Sequence, residues 1–128
     1  MYLRYPILTL TPIYFYFIIR SIVAFQRLIK YEYGEHRSEW ENDGNPCTIF
    51  WRPPESNYWL NFSLLSPGKK IWYKWIFTTP DWIKNDDRAL VLHRELRKTT
   101  GAAFFCTLCV MAPIAIILNL NPQLNSWK

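Results

Sequence analysis

Charge is missing from both ends of this 128-residue chain: none occurs between Arg4 and Arg20, and none between Lys98 and Lys128. Glycine is scarce as well, with four residues, and no glycine-rich phosphate loop is present. Neither G-x-S-x-G nor H-E-x-x-H occurs. Those absences remove the P-loop nucleotide enzymes, the serine hydrolases with a nucleophile elbow and the helical zinc proteases. Two histidines and three cysteines leave few ligands for a metal.

What the chain has in quantity is aromatic residues: seven Trp, eight Tyr and eight Phe. Trp and Tyr favour the membrane–water boundary, where an apolar ring and a polar N–H or O–H are both satisfied. The mean hydropathy of −0.11 averages apolar ends with a polar middle and is no sign of a soluble chain. Net charge is +5, yet Arg27 to Lys98 holds 12 basic against 10 acidic residues. That mixed-sign surface excludes a nucleic-acid stripe.

A bilayer core takes about 20 mainly apolar residues as a helix, and both ends meet that length. Residues 5–25 predict a first transmembrane helix, with Pro6 tolerated in its opening turn and Pro12 set to kink it or delay its start. Arg20 falls near the far end, where it can snorkel to the headgroups. The bulky Tyr14-Phe15-Tyr16-Phe17 run and the lack of a small-residue cleavage site predict a permanent anchor rather than a signal peptide. Residues 99–120 predict a second transmembrane helix that Pro113 should bend, and residues 121–128 a short tail. Eight basic residues flank the spans on the central side, against Arg4 and Lys128 on the terminal side. The positive-inside rule then puts residues 26–98 in the cytoplasm and both termini in the periplasm of a bacterial inner membrane.

Within the central segment, Thr79-Pro80-Asp81 reads as a helix start with Thr as N-cap, and Asn85-Asp86-Asp87 as another. The second should open one long helix from about Asp86 to Leu118. The first span should continue to Glu32 and weaken at Gly34, forming an antiparallel hairpin in which Glu32 and Glu35 meet Arg94 or Arg97. Cys47 to Trp51 reads as a short strand between turns. In Lys69 to Phe77, Ile71, Trp72, Trp75 and Ile76 share one helical side while Lys70 and Lys74 occupy another. Two placements stay open: an interface helix with Lys69, Lys70, Trp72, Lys74 and Trp75 at the headgroups, or a small core capping the hairpin.

Cys106 and Cys109 form a C-x-x-C, but inside the second span, where hydrocarbon disfavours thiolates. They read as packing residues with Gly101 and Ala102, small side chains that let helices approach. Cys47 should be a free cytoplasmic thiol. His36 lies too far beyond the first span to ligate haem within a bundle. Asp86 and Asp87 sit where helix-start acids belong. No catalytic set, cofactor or metal is expected.

Gly44-Asn45-Pro46, the Trp72-Tyr73 run, the Asp86-Asp87 pair and Arg94-x-x-Arg97-Lys98 entering the last span resemble the universal stress protein B family. The likeness is best over about Lys69 to Cys109; Trp51-Arg52-Pro53-Pro54 and Asn57-Tyr58-Trp59 have no counterpart, and a His-rich stretch before the acidic pair is missing. The resemblance implies a two-span inner-membrane protein with a general-stress or stationary-phase role.

Taken together, the sequence predicts an all-α membrane protein, two spans around an aromatic-rich helical or irregular loop. It is expected to work without catalysis through membrane lipid, a membrane protein partner or a second copy, with no nucleic acid. The alternative is an accessory subunit of a larger membrane complex.

Overall fold

The computed structural model describes residues 4–56 and 67–120. All regular structure in them is helical: α1 Arg4–Glu35, α2 Arg37–Asn42, α3 Pro67–Phe77, α4 Asp81–Lys84 and α5 Asp87–Leu120. The segments Asn57-Tyr58-Trp59 and residues 121–128, including the expected tail, lie outside the described residues.

α1 runs 32 residues with Pro12 inside it, and α5 runs 34 with Pro113 inside it. α1 stops where His36 leaves helical geometry at φ −127° and ψ 54°. α5 starts because Asp86 accepts the N–H of Arg88 at 3.0 Å and that of Ala89 at 3.3 Å through Oδ1. Those two donors would otherwise be orphaned in the first turn. The expected Thr79 cap is displaced by one residue: Pro80 occupies the N-cap of α4 and no side chain caps it. Gly44 and Asn45, at φ 89° and 55°, turn the chain after α2, and these are the residue types that tolerate the left-handed region.

The expected strand at Cys47 to Trp51 is a turn. The N–H of Thr48 donates to the Trp51 carbonyl at 2.9 Å, and the N–H of Trp51 donates to Thr48 Oγ1 at 3.1 Å. A lone strand would have had no neighbour to pair with.

α1 and α5 pack along one another as an antiparallel pair, and α3 and α4 lean on α5. The core collects Ala24, Leu28 and Ile29 from α1, Ile71 and Trp75 from α3, Ile83 from α4, and Ala89 and Leu96 from α5. Each buried Leu or Ile contributes about 1.5–3 kcal/mol. Gly68 makes the close approach of α3 possible, since a Cβ there would stand 2.9 Å from the Cys47 carbonyl oxygen.

That core occupies one half of the hairpin. In the other half, beyond Arg20 and Glu95, Phe15, Tyr16, Ile19, Phe104, Phe105 and Met111 all stand more than half exposed. By length and composition one helix among the described residues, Leu10–Glu35, is able to cross a membrane.

Candidate functional site

The boundary between the two halves is marked by polar contacts across α1 and α5. Arg20 donates to Glu95 at 3.0 Å, Arg27 lies 3.9 Å from the same carboxylate, and the hydroxyls of Ser21 and Thr100 are 2.6 Å apart. The contacts of Arg20 and Ser21 fall within the last part of the first apolar segment. Ser21 and Ala24 are buried in helix packing, and Phe25 meets the edge of Trp75 at 5.6 Å. Residues 21–25 thus pack against α5 and α3, and the last large exposed hydrophobic side chain of α1 is Ile19.

The expected pairing of Glu32 or Glu35 with Arg94 or Arg97 does not form. Glu95 takes the arginines of α1 instead, and Glu32 is fully buried with neither carboxyl oxygen hydrogen-bonded among the described residues. Burial, reinforced by the negative charge of Asp43, pushes the Glu32 carboxyl up to about 9. It is therefore a neutral acid at pH 7. Asp43 keeps its own charge company with Lys74, 3.1 Å away.

α3 divides the five residues expected at an interface. Trp75 goes to the core, fully buried, with Trp82 at 6.0 Å as a second ring neighbour. Its indole N–H has no partner among the described residues. Trp72 is half-buried against the core, Lys74 holds Asp43, and Lys69 and Lys70 point outward. The reason is helical phase: Ile71 and Trp75, four apart, face α1 and α5, which turns Lys70 and Lys74 away. Of the two open placements, Trp75 takes the core one.

Several small residues of α5 lie away from its contact with α1. Gly101 and Cys109 are exposed, Ala102 and Cys106 half-buried. A Cβ on Gly101 would meet nothing within 4 Å. Around this stretch α5 instead buries Leu96, Thr99 and Ala103. Those continue at three- and four-residue spacing from the core stripe, so the face was readable by extending the stripe upward instead of collecting small residues.

Three further polar contacts lock the packed layer. Asp86 Oδ2 accepts the Tyr31 hydroxyl at 2.8 Å and lies 2.9 Å from His36 Nε2, which ties the end of α1 to the start of α5. The His36 contact, then the Tyr31 hydroxyl, holds Asp86 down at about 2. The same bond raises Tyr31. His93, almost fully buried, sits with Nε2 2.6 Å from the carbonyl oxygen of Trp75. A carbonyl only accepts, so Nε2 carries a proton and donates it to Trp75.

On the flank of α5, His93, Arg94, Arg97 and Lys98 line an open groove of about 340 Å³. The three cations are exposed, and none of the ion pairs among the described residues includes them. Spacing of three and four residues puts them on one helical face. No group of His, Cys, Asp and Glu among the described residues is arranged to hold a metal ion. The chemistry that this arrangement offers is recognition of an anion.

No protein-family model, no curated protein and no solved structure matches the chain. The likeness to the universal stress protein B family rests on its short motifs.

Proposed function

We propose that the chain is a two-span membrane hairpin whose packed aromatic layer lies on the cytoplasmic face of a bacterial inner membrane. There it works by contact with lipid or a partner, without catalysis. The observation that carries this reading is the concentration of exposed apolar side chains from both long helices in the half beyond Arg20 and Glu95, with Phe104 and Phe105 65% and 68% exposed. Rings left that open in water invite aggregation, while in lipid they are solvated. The basic bias around the hairpin sets the direction of the layer. The family resemblance adds a general-stress setting to the proposal. Fusing a phosphatase to Lys128 tests it: periplasmic activity, with a tag after Ser56 reporting the cytoplasm, is the expected pair of results. A cytoplasmic Lys128 overturns the two-span arrangement.

A second reading is favoured by a separate observation. Ile49, Phe50 and Phe77 are 70–79% exposed in the packed half, away from the apolar end. In an accessory subunit these side chains would be covered by another protein. Purification in mild detergent separates the two: a stoichiometric partner supports the subunit, a monomer or dimer of this chain alone the first reading.

A further inference from the structure

We infer that the groove of His93, Arg94, Arg97 and Lys98 is a binding site for a phosphate group, and that the phosphate it takes is the headgroup of an anionic phospholipid. The inference deepens the lipid-contact reading above and rests on it for the source of the phosphate.

Three observations converge on this groove. Its cations are left over: Glu95, the acid next in sequence to Arg94, is committed to Arg20 and Arg27 on α1. At 100° per residue Glu95 lies on the α1 side of α5, whereas Arg94, Arg97 and Lys98 look away from α1. Three unpaired positive side chains within one turn repel one another, and an anion between them relieves that repulsion. The groove also has a built floor, since His93 is only 2% exposed and is fixed by its bond to the Trp75 carbonyl.

The third observation is depth. Lys98 is the last charge before the uncharged run of α5, which opens at Thr99. Arg94 lies about 6 Å further along the axis at 1.5 Å per residue. The polar zone on each side of a bilayer is about 5–7 Å thick, so the cations would span that zone and no more. Lys69 and Lys70, on α3, are also basic and exposed, and neither lines this groove. Arginine forks suit phosphate oxygens bidentately, and Lys98 adds a point charge at the lipid edge.

The full-length protein in a maltoside detergent provides the test. Its tryptophan fluorescence is titrated with dihexanoyl phosphatidylglycerol, dihexanoyl phosphatidylcholine and inorganic phosphate. Saturable binding of the phosphatidylglycerol is expected, with much weaker responses to the zwitterionic lipid and to phosphate alone. Replacing both arginines (Arg94→Gln with Arg97→Gln) should weaken the phosphatidylglycerol titration by about 25-fold, at about fivefold for each cation near an anionic surface. The pair Lys69→Gln with Lys70→Gln removes the same charge and should leave it within about twofold. Equal loss in both pairs, or none in the first, overturns the site. Inorganic phosphate binding as tightly as the lipid overturns the lipid source. Both arginines are exposed, so circular dichroism matching that of the unsubstituted protein confirms that the variant is folded. Failure of the underlying membrane reading looks different: the chain would then stay in the soluble fraction without detergent, whatever the titrations give.

Discussion

Ser21 Oγ and Thr100 Oγ1 stand 2.6 Å apart and join the middle of α1 to α5. One residue before Ser21 is Arg20, paired with Glu95. The contact therefore fixes the register of the hairpin at the edge of its exposed apolar half. Replacing Ser21→Cys together with Thr100→Cys should give an intramolecular disulfide under mild oxidation, seen as a shift in non-reducing gel mobility. A native Cys106→Ala, Cys109→Ala, Cys47→Ala background keeps the result unambiguous. The same experiment with Ile19→Cys and Phe104→Cys, both outward-facing, should give no intramolecular product. A slipped register would reverse the two results.

Close approach of the helices depends on Ala24 and Ala103, which are 1% and 9% exposed. Ala24→Leu inserts a branched side chain where no room exists, and overpacking of this kind costs about 1–3 kcal/mol. Thermal unfolding in detergent should show that loss. Cys106→Ala with Cys109→Ala removes side chains that are half-buried and exposed, so the midpoint should hardly move. A large drop in the cysteine variant would return those residues to the packing face.

Glu32 gives the protein a pH dependence of definite sign. Its carboxyl is raised from 4.5 to about 9 in the folded chain, so the folded state holds the extra proton between those values. Stability therefore falls as pH rises through that window, at up to about 1.4 kcal/mol per pH unit. Glu32→Gln keeps the shape of the neutral acid and does not titrate. Its unfolding midpoint should match the parent near pH 5 and exceed it at pH 8. Parallel profiles for the two proteins would mean that Glu32 is solvated.

Asp86 works in the opposite direction, because contact with His36 and Tyr31 and the capping N–H groups hold it at about 2 against an ordinary 3.8. The stability it supplies is complete above the ordinary value and is lost as pH falls from there toward 2. Asp86→Ala should fray the first turn of α5 and release the end of α1. Trypsin cleavage at Lys84 and Arg88 should then accelerate. Unchanged cleavage would show that packing of Ile83 and Ala89 holds the turn alone.

Much of the helical frame was legible in the chain. The second long helix announces itself through Asp86 and through an apolar stripe that no breaker interrupts, and the first through apolar residues that continue past Arg20 to Glu32. The Cys47–Trp51 turn was misread because β-branched and aromatic residues carry strand propensity that only a neighbouring strand can use. The candidate groove was half visible: Arg94, Arg97 and Lys98 stood out as basic residues before a span. Their lack of partners was not, because it depends on Glu95 turning to Arg20, a contact between residues 75 apart in sequence. Trp75 and Glu32 defeated composition for the same reason. An indole suits an interface and a carboxylate suits water, and only the packing of α1, α3 and α5 buries both.

The register at Arg20 divides the uncharged lengths of the two long helices unequally. On the two-span reading, the uncharged run of α1 from Tyr5 to Ile19 covers about 22 Å at 1.5 Å per residue, while α5 from Thr99 to Leu120 covers about 33 Å. A hydrocarbon layer is about 30 Å thick. One leg of the hairpin is therefore too short for the bilayer and the other slightly long, a mismatch that thins lipid on the α1 side and tilts α5. A hairpin so placed would feel acyl-chain length, and it should be steadier in bilayers of short chains than in thick ones.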